Sequence, residues 1–568
     1  MNRKSYIILF LIFILGTFLR FYKLESLPSS YSPDELAQAY TAYSLLNTGK
    51  DEWGIPWPLS LRSFGDFKPP LQTYLMIPSI KLFGLTPFAA RFPNALFSSL
   101  SIIAVFLFTK QLFKRTIAIP LLSALFLSLS PWHLPMSRLA LEANLHVFFV
   151  SLGLFFFLRS TNSTKSCKNL IISAILLILA SFSYHSTKAL VPLVIILISV
   201  YKKRQATAQS PEGGEIFSNL KPYLVFYSVI FLFLTINFFN SNSTRTSDIV
   251  IFNPTDKWQS VSDQQFQTIQ NGLPTQISRI FNNKFIYTTK IFFQNYFSYF
   301  SPQFLLTNGA SETDYGMIPS FGVLNPLLFL GLLVSLTSIF SKKHNIYHSQ
   351  LLFLLPLILL TPIPATLAKG QMFGNRASIM IPFIQIFSVT GLYLFYQKIS
   401  QRQIKKATLI LLASIFIFYN LDFLSTYFYR GNQILAHGML YGHKEAIKYV
   451  QKEKPSQIIY SRKLSEPQAY ASFFMKIAPK LTQQESINWL KYDEKGLSFL
   501  DQLGEYKLDN FIFRELTFAA DSLEPDTILI GKPEEFPVST KIDKIIYYPY
   551  ATSQTPAIYI YKTSIAND

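Results

Sequence analysis

Asp34 and Glu35 stand side by side in YSPDELAQAYTAYSLLNTGK (residues 31–50), a few residues after a long apolar run. Cations follow at intervals: Lys68 in DFKPPL, Arg91 in AARFPNALFSSL, Arg138 with the acid Glu142 in SRLALEANL, Lys188 in SYHSTKALVPL and Arg376 in FGNRASIMIP. Each lies close to one end of an apolar run. A carboxylate and several cations gathered at one depth suit transfer from an anionic, lipid-linked donor: the acid takes the proton of an incoming hydroxyl, and the cations hold a phosphate leaving group, Arg as a planar fork and Lys as a point charge. A plainer reading stays open beside this one. An acid at a helix start is favoured by the helix dipole, and cations at the ends of spans snorkel to lipid headgroups. His133 and His185 read as local hydrogen-bonding partners, because neither has a second His or carboxylate at helical ligand spacing.

The elements that must hold these residues are membrane helices. Half of the 568 residues are hydrophobic and only 15% are charged, with 54 Phe and 31 Tyr, which is too apolar for an ordinary soluble chain. The net charge of +19 would suggest nucleic acid in a soluble protein. Here the basic loops flank apolar spans, so the charge sets orientation and meets anionic lipid, and no nucleic-acid partner is expected. The single cysteine, Cys167, permits no intrachain disulfide and no cysteine zinc cluster. Apolar runs at about 6–24, 93–113, 116–132, 143–160, 169–184, 187–201, 222–240, 325–341, 348–364, 376–396 and 407–425 give about eleven crossings. The first, preceded by NRK, is long and lacks a small-residue cleavage site, so it reads as a retained anchor. Arg3 and Lys4, KQLFKR, RSTNSTKSCK, YKKRQ, SKKH and QKISQRQIKK fall in alternate loops. The positive-inside rule then puts the N-terminus in the cytoplasm and residues 25–92, 133–142, 241–324, 365–375 and 426–568 outside.

In the first outer loop, PPLQTYLMIPSIKLFGL is expected to form a short helix in the outer interface, since counting it as a span would reverse every later loop. PDELAQAYTAYSLL predicts a second interfacial helix, opened by Pro33 and carrying an apolar stripe of Leu36, Ala39, Tyr40, Tyr43 and Leu45 or Leu46. Beyond about residue 430 long apolar runs stop. SQIIYSR, NFIFRE, DTILIG and AIYIYK read as strands, and HKEAIKYVQKEK as an amphipathic helix before them. The expected fold is an all-α polytopic membrane bundle over residues 1–429, with interfacial helices in the first outer loop, followed by a C-terminal extracytoplasmic α/β domain over 430–568.

The pattern PDE beside the first outward loop, KPPL closing it and R…NA opening the second span resembles the GT-C type membrane glycosyltransferases. Protein O-mannosyltransferases and the bacterial aminoarabinose transferases that modify lipid A are the most similar branches. SPWHLPMSRLALEANL, NYFSYFSPQFLLTNG and NRASIMIP add to the resemblance, which covers about residues 5–430. It implies a multi-pass cell-membrane enzyme that moves a sugar from a polyprenyl-phosphate donor to an acceptor hydroxyl with inversion, without a cofactor or an obligatory metal. Asp34 then falls on the catalytic general base and Glu35 on the second place of the acidic pair. Lys68 and Arg91 match positions that hold the donor phosphate. Arg138, Glu142, Lys188 and Arg376 are carried over as substrate-binding residues; Glu142 follows the SR one residue sooner than in the relatives, and Lys188 stands where many carry Arg, keeping the charge without the fork. Membrane lipid and an acceptor protein, lipid or cell-wall glycan are the implied partners. The competing reading is a polytopic transporter or flippase of a phosphorylated lipid-linked sugar. It fits less well, because transporters gather binding groups near the midplane on broken helices, whereas these charges lie at the rim. A non-catalytic assembly or receptor protein would not need Asp34 and Lys68 in one loop.

Overall fold

Inside a bilayer no water satisfies the backbone, so apolar stretches become helices whose N–H and C=O groups bond within the segment. In a computed structural model the chain is described over residues 2–160, 166–209, 226–233, 250–252, 254–341, 346–550 and 552–563. The helices, in order, are α1 (Arg3–Phe21), α2 (Pro33–Thr48), α3 (Leu71–Phe83), α4 (Pro87–Leu112), α5 (Ala118–Ser128), α6 (Leu145–Arg159), α7 (Ser166–Ser181) and α8 (His185–Gln209). After them come α9 (Pro254–Gln270), α10 (Thr275–Phe281), α11 (Lys284–Ser298), α12 (Pro326–Phe340), α13 (His348–Leu360), α14 (Ile381–Lys398) and α15 (Arg402–Ser425). A two-stranded hairpin, β1 (Leu61–Arg62) with β2 (Phe67–Lys68), lies between α2 and α3.

Each of the eleven apolar runs falls on helix, the one at 222–240 only through residues 226–233, the rest of it lying outside the described residues. Among the described residues seven helical segments are long and apolar enough to cross a membrane: Arg3–Phe21, Pro87–Leu112, Glu142–Arg159, His185–Arg204, His348–Thr366, Gly374–Lys398 and Arg402–Leu435. Ala118–Ser128, Cys167–Ser181 and Pro326–Phe340 are apolar but shorter than the roughly 20 residues of a straight crossing. α12 and α14 pack backbone to backbone: a Cβ on Gly331 would strike the Ser388 carbonyl, and one on Gly391 the Gly331 carbonyl. Small residues let membrane helices approach this closely where no hydrophobic effect drives them together.

α15 continues through Thr426–Arg430 into Gly431–Leu435, so the division expected at 429/430 falls inside one helical segment. Next come α16 (His443–Glu453), β3 (Gln457–Tyr460), α17 (Pro467–Met475), α18 (Pro479–Trp489), β4 (Tyr506–Leu508), β5 (Phe511–Phe513), β6 (Thr527–Gly531), β7 (Lys544–Tyr547) and β8 (Pro556–Lys562). They build a six-stranded sheet in the order β4-β5-β3-β6-β8-β7, with β3 parallel to β5 and β6 and the other neighbours antiparallel. The four expected strands and the expected helix are all present. Alternation sorts the sheet faces: Ile458, Tyr460, Ile528 and Ile530 join one core with Ile447 and Tyr470, while Ile459 and Leu529 join Phe536 on the other side.

The structure corrects the expectation that α2 lies in the lipid interface. Leu36, Ala39 and Tyr40 of the stripe are buried, but so are Gln38, Thr41 and Ser44 on the polar side. Tyr40 donates to the Ile477 carbonyl (2.8 Å), Gln483 donates to Thr48 Oγ1 (2.9 Å), and Tyr470 donates to the Tyr31 carbonyl (2.7 Å). α2 is therefore sandwiched between the bundle and the helices under the C-terminal sheet. An amphipathic pattern alone does not distinguish lipid from protein as the apolar partner.

Candidate active site

The start of α2 separates its two acids. Ser32 is the N-cap and Pro33 occupies the first turn, where a missing N–H costs nothing. Successive helical residues point about 100° apart, and Glu35 turns inward. It is fully buried, accepts the Ser32 N–H (3.2 Å) and the Ala140 N–H (2.7 Å), and pairs with Arg91 Nε at 3.0 Å. Arg91 is 1% exposed. Its remaining donors go to the carbonyls of Leu24 (3.1 Å), Pro28 (2.8 Å) and Ser30 (3.0 Å) and to Glu35 Oε2 (3.2 Å), so all five guanidinium N–H groups are used.

In this geometry all five Arg91 donors are taken and Glu35 is enclosed, and together they clamp the 24–30 segment, α2 and α4. Arg138 is engaged in the same way. It is fully buried, and its guanidinium donates to the carbonyls of Leu19 (2.6 Å), Arg20 (3.0 Å), Tyr22 (2.7 Å) and Leu27 (3.1 Å), capping the C-terminal end of α1. Orphan carbonyls at a helix end attract a cation of this kind.

Asp34 points the other way and is partly exposed. Lys68 Nζ approaches its Oδ1 at 3.1 Å and also pairs with Asp66 at 3.4 Å, and the Tyr315 hydroxyl donates to Asp34 Oδ2 at 3.4 Å. Burial works against the Lys68 charge, but Asp34, Asp66 and Glu142 outweigh it and hold the ammonium well above its usual range. The Asp34 charge first, and burial second, push the Tyr315 phenol well above its usual range too, so it stays a donor.

Lys68 is aimed by the β1–β2 hairpin. Gly65 takes φ +138 in its turn, and a Cβ there would run into the Ser498 carbonyl, so the hairpin lies flush against the C-terminal domain. The Leu500 N–H donates to the Phe64 carbonyl (3.1 Å), and on the far side His185 Nε2 lies 2.8 Å from the Phe67 carbonyl. His185 is thus the local hydrogen-bonding partner expected from the sequence. Glu142 is buried beside Asp34, receiving a hydrogen bond from Gln38, one helical turn after Asp34, at 2.9 Å.

Lys188 is one turn beyond His185 on α8, and the His185 ring feels the charges of Lys188, Asp66 and Lys68 together. Among the described residues the Lys188 ammonium has no ion pair or hydrogen bond. Arg376 is half-buried, donating Nη1 to the Lys369 carbonyl (2.9 Å) and stacking on Phe373 at 4.3 Å, with its other donors uncommitted among the described residues. Tyr184 lies within electrostatic reach of Arg376, Glu142, Glu312 and Lys68.

Asp34 therefore pairs with Lys68 beside the buried Glu142, Lys188 and Lys68 both act on His185, and Asp34 and Arg376 both act on Asp314, while Glu35, Arg91 and Arg138 are engaged in buried networks. The structure also adds residues the sequence reading missed. Asp66 is two places before Lys68. Glu312 and Tyr315 come from SETDYG, directly after the NYFSYFSPQFLLTNG stretch. Glu312 accepts the Asn375 N–H at 2.8 Å, holding the loop that carries Arg376; burial pushes its carboxyl up to about 8, against the lowering effect of that bond. Two acids and a tyrosine within four residues were a visible signal, but nothing in their spacing says that they meet a residue 281 positions away.

Residues 67–239 match the family described as Dolichyl-phosphate-mannose-protein mannosyltransferase. The fold is similar to that of ArnT from Cupriavidus metallidurans in the apo state, at TM-score 0.50 and 12% identity, covering 97% of both chains. A further similar structure is the oligosaccharyltransferase AglB from Archaeoglobus fulgidus, solved with an inhibitory peptide and a dolichol-phosphate (TM-score 0.46, 13% identity, 83% of this chain). This chain spans 64% of the length of that archaeal protein. The S. cerevisiae protein O-mannosyltransferase Pmt1-Pmt2 complex matches over 44% of this chain and 36% of its own, at 18% identity and TM-score 0.35. No curated protein matches the sequence.

Proposed function

We propose, from the match of residues 67–239 to the family described as Dolichyl-phosphate-mannose-protein mannosyltransferase, that the protein is a GT-C type membrane enzyme that transfers a sugar from a polyprenyl-phosphate donor to an acceptor hydroxyl on the outer face of the membrane, with inversion. The observation that carries this reading is the Asp34 carboxylate, held by Lys68 at 3.1 Å and Tyr315 at 3.4 Å. The family description names a dolichyl-phosphate sugar, which is a polyprenyl-phosphate donor.

Asp34 accepts the proton of the acceptor hydroxyl as that oxygen attacks the anomeric carbon. The bond from that carbon to the phosphate oxygen breaks, and the electron pair leaves with polyprenyl phosphate. One displacement inverts the anomeric centre. Lys68 joins the two halves of the reaction: two of its three N–H donors face Asp34 and Asp66, and the third is available to the phosphate. Lys188 and Arg376 neutralise the charge that grows on the leaving group, where low dielectric makes each contact worth more than in water. Glu142 and Tyr315 orient Asp34 and Lys68. Glu35, Arg91 and Arg138 act only by fixing the segments that carry them. The C-terminal part packs on the α2 start and the Lys68 hairpin, and in this reading it helps to bind the acceptor.

A transporter or flippase is not favoured, because the sequence match is to a family of transferases. The reading is tested by mass spectrometry of envelope glycoconjugates from cells with and without the intact protein. A sugar present only with the protein supports it and identifies the product, whereas identical glycoconjugates count against it.

A further inference from the structure

At the end of the bundle opposite the Asp34 cleft lies a cavity of about 640 Å³. Asn2 and Ser5 of the α1 start, Lys110 and Gln111 of the α4 end, Lys114, Arg115, Thr116 and Ile117 of the turn into α5, and Phe155 and Arg159 of the α6 end surround it, with Leu107. Among the described residues eleven line it, of which four are cationic and none is acidic. Lys114, Arg115 and Arg159 take part in no ion pair among the described residues. Lys110 and Arg159 also sit in the last turns of α4 and α6, where a cation complements the helix dipole. That role does not account for Lys114 and Arg115, which lie past the helix end, nor for the open volume between them. Positive-inside orientation explains the sign of these loops but not their convergence on a concavity.

Like charges such as Lys114, Arg115 and Arg159 converging on one concavity repel, and an anion among them relieves that repulsion. The remaining wall fits an anion with an apolar body: Leu107, Ile117 and Phe155 supply apolar side chains, while the N-cap residues of α1 and α5, Asn2 and Ile117, place two helix N-termini at the rim. Helix N-termini add partial positive charge and backbone donors. We propose that this cavity binds a phosphate-bearing anion, and that its position at the ends of two spans, α4 and α6, makes the headgroup of an anionic membrane lipid the occupant. The site is separate from the Asp34 cleft and does not depend on the proposed transfer reaction.

The test uses the full chain in detergent, titrated with dioctanoyl phosphatidylglycerol, dioctanoyl phosphatidylcholine or inorganic phosphate, with thermal stability as the readout. The expected result is saturable stabilisation by phosphatidylglycerol, with affinity falling roughly tenfold per cation removed in Lys114→Gln/Arg115→Gln. Lys114 and Arg115 are exposed, so the variant should keep the wild-type melting temperature without ligand. Arg159→Gln carries the same test through a different helix should the double variant fold poorly. Stabilisation by inorganic phosphate at matched concentration would support the phosphate site but assign it to a soluble anion rather than a lipid. Equal stabilisation by phosphatidylcholine, no stabilisation by any of the three, or unchanged affinity in both variants would overturn the proposal.

Discussion

Two carboxylates that are neighbours in the chain, Asp34 and Glu35, end in opposite environments, and that difference predicts how their partners respond to mutation. Arg91 and Glu35 form a buried pair, so Arg91→Ala leaves an uncompensated carboxylate inside and is expected to cost roughly 3–5 kcal/mol of stability. Lys68 is partly exposed at the cleft. Lys68→Ala is expected to fold and insert normally while kcat/KM for the lipid donor drops on the order of ten- to a hundredfold, as the loss of one charge-assisted contact implies. Thermal unfolding and donor kinetics, normalised to folded protein, separate the two outcomes. A stable Arg91→Ala protein with weakened donor use would restore Arg91 to the phosphate site. The sequence showed that the cations gather at one depth. It could not distinguish Lys68 from Arg91 and Arg138, because most of what consumes the two guanidinium groups is backbone: carbonyls of the 24–30 segment and of the end of α1, with Glu35 taking the two remaining Arg91 donors.

At the scale of elements, the loop that carries Arg376 is pinned by a carboxyl that burial keeps neutral. Glu312 rises from an ordinary value near 4.5 to about 8, so between those pH values the folded chain keeps a proton that the unfolded chain has released. Its contribution to stability is fully present below about pH 4.5 and is lost as pH rises towards 8. Glu312→Gln should remove that slope, so that its melting temperature, compared with wild type, improves from pH 5 to pH 8. Parallel pH profiles for the two proteins would show that Glu312 is not held neutral. The elements themselves were mostly legible. Pro33 and the PDE acids announced the start of α2, and the β-rich segments after 430 became β3, β5, β6 and β8. β4 and β7 were missed because YKL and KIIY are too short to show alternation by themselves. The surroundings of α2 were misread because its polar face meets α18 rather than water.

For the whole molecule, the alternation of basic loops predicts which side each end faces. After replacement of the exposed Cys167, a membrane-impermeant thiol probe applied to intact cells should label a cysteine at Ser311 or Ser465, both exposed, and not one at Ser210, which lies outside the described residues. The opposite pattern would invert the topology and move the cleft to the cytoplasmic side. The bundle was readable from hydropathy because each apolar run falls on helix. The number of crossings was not, since α5, α7 and α12 are too short to be counted by length alone.

The account rests on Asp34 as the base in the transfer of a sugar from polyprenyl phosphate, and the most direct test is the turnover of purified Asp34→Asn beside wild type. The donor should carry the sugar identified from the envelope glycoconjugates. The amide nearly matches the carboxylate in shape but cannot take the proton. The prediction is an inserted, folded variant with normal melting behaviour and a rate lowered on the order of a hundred- to ten-thousandfold. Near-normal turnover by Asp34→Asn would contradict the account.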